Sequence, residues 1–374
     1  MMNVAAQINL WVYRLLFLAR ARRSSVKPLP IKLNSGSRVL IFSCAGIGDT
    51  LTDSVVFKAL AETYPGIFLA QVVHERRRAL AEHNPYVSKI YRLKKGWIRF
   101  YRLYQRLKED GPWDALLHLR GNDPEPRCLS FLLDAGRTVG ITHMSRMNEL
   151  CGHNLTFADW DEIHGVEQTL RVARYVGADT AEPHLVYQVK EEERVGFEAR
   201  ARRELGFSDG HRIVLQIGGG KRAAWRDWPI DRYVELIMLI KREWPLVNVI
   251  ILGGRDHLDR RDELKRRLGQ LKVVDCVGKL SIEESAALLG SAKVVVSTDT
   301  GMMHLAFAVG ARVVALIHCN NPASRVGPYG YGDRHRVVEL PRPLGYRCPA
   351  DADMREITAE LVFSKVCELM ETID

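Results

Sequence analysis

No glycine run in the 374-residue chain has the GxxxxGK[ST] spacing of a phosphate-binding loop, and neither GxSxG nor HExxH occurs. CAGIGD, ending at Asp49, is only weakly like the GxGxxG dinucleotide fingerprint and lacks its spacing, which argues against a nicotinamide enzyme. Cysteine is sparse: the seven residues are odd in number, scattered, and never spaced as CxxC. That pattern argues against a zinc site and a disulfide framework, and for a reducing compartment. No apolar run is long enough to span a bilayer. The nearest, Ile8–Ala21, is broken by Arg14, followed at once by Arg22 and Arg23, and has no small-residue cleavage site after it. Acid is in deficit, 45 Asp and Glu against 54 Lys and Arg, and the net charge of +9 favours anionic partners: nucleic acid, a membrane surface or an acidic substrate.

What is present reads as two α/β domains, since the length exceeds one typical core. In the first half, strands are expected at Val39–Ser43, Phe68–His74, Lys89–Leu93, Ala115–Leu119 and Thr138–Ile141, with a helix over Asp49–Tyr64. The second half repeats the plan. A charged helix over Lys190–Leu205 precedes strands at Ile213–Ile217, Val247–Leu252 and Lys272–Cys276, with helices at Ile230–Glu243 and Ile282–Leu289. Alternation of strands and helices predicts doubly wound parallel sheets, two Rossmann-like domains facing each other across a cleft, with a last helix over Thr358–Ile373. Ahead of them, Ile8–Arg23 suits either an interfacial basic amphipathic helix or a helix packed on the protein's own core. Trp97, Phe100, Tyr101 and Tyr104 recur at helical spacing and read as core, while Arg99, Arg102, Arg106 and Lys108 lie largely off that face and suit solvent, an anionic acceptor or lipid headgroups.

The stretch Val294–Ile317, VVVSTDTGMMHLAFAVGARVVALI, carries the strongest functional signal. It predicts a buried strand, a polar loop over Thr298–Gly301, a helix opening near Met302, and a second strand at Val313–Ile317. Ligands bind at such strand-to-helix corners of a parallel sheet. Backbone N–H groups and the hydroxyls of Ser297, Thr298 and Thr300 could donate to phosphate. Asp299 needs another task, such as accepting from sugar hydroxyls or pairing with a cation. Equally, Asp299 or Thr300 could cap the helix, with His304 a satisfied first-turn histidine.

A second loop, Gly218-Gly219-Gly220 with Lys221, Arg222 and Arg226, offers backbone donors and cations for a diphosphate. In the first half, Asp49 follows Gly46 and Gly48, as an N-cap or as a base. A carboxylate opposite a diphosphate would serve an acceptor-activating transferase, the base taking a hydroxyl proton while fixed donors stabilise the departing phosphate. Asp351 and Asp353 form a DxD pair, but they precede a C-terminal helix instead of ending a buried strand, which favours capping over metal binding.

VLIFSCAGIGDTLTDSVVFKALAETYPG, GGGKRAAWRDWPIDRYVELI, VIILGG and the Val294–Ile317 stretch resemble, in order and spacing, the ADP-heptose:lipopolysaccharide heptosyltransferases, glycosyltransferase family 9 of GT-B fold. The resemblance runs from about Arg38 to the C-terminus. It implies a Rossmann-like acceptor domain at 38–187, a nucleotide-sugar donor domain at 188–345 and a closing helix at 346–374; the N-terminal basic amphipathic segment and linker at 1–37 precede it. By motif, Asp49 stands at the family's proposed catalytic base, with Gly46 and Gly48 on the acceptor side. Arg226 stands in the K/R-x-W-P element that would hold the donor diphosphate. Asp299, Thr300, Gly301 and His304 match the D-T-G-x-x-H loop, where the backbone of Thr300, Gly301 and Met302 would line the phosphates. No metal and no cofactor beyond the ADP-sugar donor is expected. GGGKRAA departs from the family's usual P-G-A/S loop, and the N-terminal segment is not part of its usual domain.

The expected activity is inverting, metal-independent transfer of a heptose or related sugar from an ADP-sugar to an anionic, lipopolysaccharide-type glycolipid, in the cytoplasm or peripherally on the inner membrane. Alternatives keep the fold with another nucleotide sugar or a protein acceptor, or make the chain a non-catalytic anion- or nucleic-acid-binding protein. The last would need aromatics interleaved with cations, whereas those at 97–104 are segregated.

Overall fold

The apolar runs of the first half become β1 (Arg38–Ser43), β2 (Phe68–His74), β3 (Lys89–Leu93), β4 (Ala115–Arg120), β5 (Thr138–Ile141) and β6 (His153–Leu155). Those of the second half become β7 (Arg212–Gln216), β8 (Asn248–Leu252), β9 (Val274–Asp275), β10 (Val294–Thr298), β11 (Val313–Ile317) and β12 (His335–Glu339). The computed structural model describes residues 4–24, 26–121, 123–141, 147–160, 162–219, 224–330, 332–342 and 348–371. Contacts divide the chain into Met1–Val186 and Tyr187–Asp374.

Each unit holds one six-stranded parallel sheet. The first is ordered β3-β2-β1-β4-β5-β6, and the second, read from its other edge, is β9-β8-β7-β10-β11-β12. The two orders are the same, and each reverses direction once: between β1 and β4 in the first unit, between β7 and β10 in the second. Such reversals open a crevice at the carboxyl ends of the strands, where ligands bind. β10 and β11 are fully buried along their length, which is why they read as the continuous apolar runs Val-Val-Val and Val-Val-Ala-Leu-Ile and not as alternating ones.

The closing helix (Ala359–Glu371) belongs to the second unit. Val362, Val366 and Leu369 on one stripe are wholly buried against the core that includes Tyr233, Ile237 and Ile240. Burial of such side chains contributes about 1.5–3 kcal/mol each. Trp228 pins the approach to it: its Nε1 donates to the Ile357 carbonyl at 2.8 Å and its ring meets Tyr233 edge-on. The W-P pair of the sequence is therefore a packing element, the Trp in the core and Pro229 capping the helix Ile230–Glu243.

Two expectations need correcting. Cys319 and Cys348 form a disulfide with Cα atoms 5.2 Å apart, because β11 ends beside the segment that leads into the closing helix; an odd, scattered count did not reveal a bridge between residues 29 apart. The helix Trp97–Glu109 buries Phe100, Leu103 and Leu107, leaving Trp97 and Tyr101 exposed; leucines complete the buried stripe that aromatics were assigned. At the N-terminus, Val4–Tyr13, a π-helical turn Arg14–Leu18 and Ala19–Ser24 follow in sequence, and Tyr13 and Ala21 enter the core of the first unit.

Candidate active site

In the first unit, β1 ends at Ser43 and the chain turns through Gly46 into the helix Ile47–Thr63. Asp49, in the first turn, closes that turn: its Oδ2 accepts from the Gly46 N–H at 3.1 Å. A Cβ on Gly46 would lie 3.1 Å from the same oxygen, so glycine lets the carboxylate sit this close. The cap and the functional reading of Asp49 are compatible, because the other oxygen points elsewhere. Oδ1 accepts from Arg120 Nη1 at 3.1 Å, and the Asp49 side chain remains 43% exposed. Gly48 lies in the same turn, its carbonyl accepting from the Thr52 hydroxyl.

Arg120 ends β4, the strand across the switch point. Its guanidinium also donates to the Gly165 carbonyl and to Gln168 Oε1, so it is held in place from three sides. One helical turn beyond Asp49, Asp53 is fully buried, accepts from the Ser43 hydroxyl at 2.7 Å, and lies 3.7 Å from Arg120 Nε. Burial drives its pKa up to about 7, against the pull of Arg120 and Ser43 and with a further push from Asp49. The turn after β2 adds Arg77, whose guanidinium is lowered by burial and by Arg76 and is sustained by the Asp49 charge. His74 Nε2 meets Asp123 at 2.7 Å along the same sheet end, and that contact lowers the Asp123 carboxyl. Sequence reasoning missed Asp53, Arg77 and Arg120. The i, i+4 spacing of the two aspartates was the available signal for Asp53; Arg120 becomes visible only once strand order is known.

In the second unit the loops after β7 and β10 meet. Arg226 Nη1 lies 2.9 Å from Asp299 Oδ2, and the same oxygen accepts from Asn321 Nδ2 at 2.6 Å. His304 Nε2 is 3.9 Å from the other Asp299 oxygen. Asp299 thus takes the cation-pairing task. Thr300 is the N-cap of the helix Gly301–Ala308, its hydroxyl accepting from the Met303 N–H. The N–H groups of Gly301 and Met302 fall outside the helix's own i to i−4 bonding. The expected phosphate donors Ser297 and Thr298 are a correction: both are buried, and their hydroxyls bond the Thr298 carbonyl and Gln216 inside the sheet.

The Gly218 loop also behaves differently from a bare donor loop. A Cβ on Gly218 would come within 2.6 Å of the His257 ring, so this glycine serves packing. The Gly219 N–H donates to Asp227 Oδ1 at 2.6 Å, and Arg260 braces the loop through the carbonyls of Ile217 and Trp228. Gly220, Lys221 and Arg222 lie outside the described residues. Trp225 is 42% exposed, with the Arg226 guanidinium 4.6 Å from its ring centroid and His318 edge-on to it.

Asp353 caps the turn Met354–Glu356, accepting from the Arg355 N–H at 2.8 Å, so the DxD pair supplies a cap. Among the described residues one group could offer three metal ligands, His318, Cys319 and Cys348. Its two sulfurs are bonded to each other, and His318 Nδ1 accepts from the Asn320 N–H.

Two doubly wound parallel-sheet units, each with a polar constellation at its switch point, make up a GT-B fold. Solved structures share that fold: the family 9 glycosyltransferase of Veillonella parvula has TM-score 0.78 at 17% identity, covering 91% of this chain and 99% of that one. Escherichia coli heptosyltransferase WaaC, solved with ADP, has TM-score 0.69 at 21% identity over 89% of this chain and 99% of its own. In sequence, the chain is 23% identical over 306 residues to the lipopolysaccharide core heptosyltransferase OpsX of Haemophilus influenzae, covering 80% of this chain and 84% of that protein. The model of glycosyltransferase family 9 (heptosyltransferase) matches residues 100–344, and the chain belongs to that family.

Proposed function

We propose that the enzyme transfers a heptose or related sugar from an ADP-sugar to a lipopolysaccharide-type glycolipid, with inversion and without a metal ion. The carrying observation is the half-exposed Asp49 carboxylate, anchored through one oxygen by Gly46 and through the other by Arg120. A carboxylate so held is an oriented proton acceptor. In the reaction the acceptor hydroxyl loses its proton to Asp49, its oxygen bonds the anomeric carbon, and the bond from that carbon to the diphosphate breaks. The electron pair leaves on ADP. Arg226 and the N–H groups of Gly301 and Met302 receive the negative charge that develops there. Asp299 holds Arg226 in position, and His304 with Asp299 orients the donor.

The relatives support this donor and acceptor class: OpsX is a lipopolysaccharide core heptosyltransferase and WaaC has been solved with ADP. No helix among the described residues is long and apolar enough to cross a membrane. We place the enzyme in the cytoplasm at the inner membrane surface, with residues 8–23 as its first contact.

Asp49→Ala tests the base. Transfer falls by on the order of 100-fold or more while ADP binding persists; equal loss of both would contradict the role. Transfer that survives exhaustive chelation supports the metal-free reading, and activity restored only by a divalent cation would overturn it.

A further inference from the structure

The N-terminal helical segment is apolar on two sides. Tyr13 stacks on Trp97 with ring centroids 4.4 Å apart, and Phe17 packs edge-on to Phe100 and Phe131. That side belongs to the protein. On the other, Ile8, Trp11, Leu15 and Leu16 are each at least half exposed. A water-facing helix normally carries polar residues there. Next to it, the helix Trp97–Glu109 leaves Trp97, Ile98 and Tyr101 exposed as well. Exposed apolar groups clustered this densely mark an interaction site.

Charge says what covers it. The N-terminal segment has no acidic residue between Val4 and Ser24, and carries Arg14, Arg20, Arg22 and Arg23. The second helix has a single acid, Glu109, at its far end. Between that helix and β3 runs a groove of about 580 Å³ lined by Arg92, Lys94, Arg99, Arg102 and Arg106. Tryptophan and tyrosine at a rim, aliphatic tips beyond them and cations alongside match the interface of an anionic bilayer.

Topology fixes the orientation. Trp97 opens a helix that starts just past the carboxyl end of β3, the sheet end at which Asp49 also lies. Lys95 is within electrostatic reach of Asp123 and Glu125, at the start of the helix that follows β4 at that same end. The apolar tip and the proposed catalytic carboxylate therefore share the carboxyl end of the first unit's sheet.

We infer that the N-terminal helical segment and the helix Trp97–Glu109 together form a docking surface for an anionic phospholipid bilayer, with Ile8, Trp11 and Ile98 inserted and the Arg92–Arg106 groove holding lipid headgroups. This extends the proposed contact of residues 8–23 to a two-helix surface at the acceptor end of the sheet. It does not depend on the assigned chemistry.

The test is flotation of the full chain with vesicles of equal parts phosphatidylglycerol and phosphatidylcholine, without donor or acceptor. The protein floats with these and not with pure phosphatidylcholine. Arg99→Glu with Arg102→Glu weakens binding on the order of 20-fold, and Ile8→Ser with Trp11→Ser weakens it roughly tenfold or more. Ile98→Ser, outside the N-terminal segment, weakens it on its own. All five of these side chains are solvent-facing, so the melting temperature stays constant and reports that the variants fold. Binding unaffected by Ile98→Ser and by the two arginine changes would overturn the two-helix surface. So would sedimentation showing that the patch joins two copies of the chain, with no vesicle binding. Transfer to a lipid-free sugar acceptor separates the two proposals: vesicle binding without any transfer contradicts the catalytic reading alone, and transfer without vesicle binding contradicts the surface alone.

Discussion

Asp53→Asn removes a charge from a fully buried site one turn from the proposed base, and it should make the protein more stable at alkaline pH. The Asp53 carboxyl is held neutral in the folded chain up to about pH 7, whereas unfolding restores its ordinary value of 3.8. Between those values the folded state binds the extra proton. The stability Asp53 contributes is therefore complete below about pH 3.8 and is lost as pH rises to about 7. At 1.36 kcal/mol per pH unit, the full difference is roughly 4 kcal/mol, and the part lost between about pH 5 and pH 8 is roughly 3 kcal/mol. Asparagine has the same shape, can still accept from Ser43, and does not ionise. Urea denaturation of both proteins at the two pH values gives the comparison. The variant gains on the wild type by about 2–3 kcal/mol on going from the lower to the higher pH. A difference that is the same at both would refute the reasoning, because the carboxylate would then be equally at home in the folded and unfolded chains.

Arg120→Met couples to the same group. It leaves ionised Asp53 buried without its cation, so unfolding measurements should show a loss of about 3–5 kcal/mol above pH 7 and a smaller one near pH 5, where Asp53 is protonated. Gly218→Ala drives a methyl group into the His257 ring and should lower stability by about 1–3 kcal/mol, read as a shift in denaturation midpoint. Trp228→Phe keeps an aromatic ring but is smaller and removes the donor to Ile357, leaving a buried carbonyl unmatched; a cost of about 1–3 kcal/mol for the lost bond, with faster hydrogen exchange in the closing helix, is the expected result.

The sheets were legible in the sequence because parallel strands buried on both faces are runs of β-branched residues. Val294–Thr298 and Asn248–Leu252 fall within a residue of where those runs predict strands. Short edges were not legible. β6 has three residues, His153–Leu155, and no apolar run, while the strand expected over Lys272–Cys276 pairs with β8 only at Val274 and Asp275. Loop chemistry was half legible. Pairing with a cation was one of the tasks left open for Asp299, beside sugar binding and helix capping, but that Ser297 and Thr298 turn inward depends on where β10 ends, which no local pattern states. Arg120 and Asn321 reach their partners across 71 and 22 residues of sequence. Such contacts are set by strand order, and strand order comes from packing.

Calorimetric titration of the purified protein with ADP, UDP, GDP and CDP in the presence of chelator puts the donor assignment to the most direct test. Selective binding of ADP, weakened about 10- to 100-fold by Arg226→Ala, is the expected result, since a charge-assisted hydrogen bond contributes about 1.5–3 kcal/mol. Preference for another nucleotide would keep the fold and discard the ADP-sugar donor, and ADP affinity untouched by Arg226→Ala would contradict the placing of the diphosphate at the Arg226–Asp299 pair.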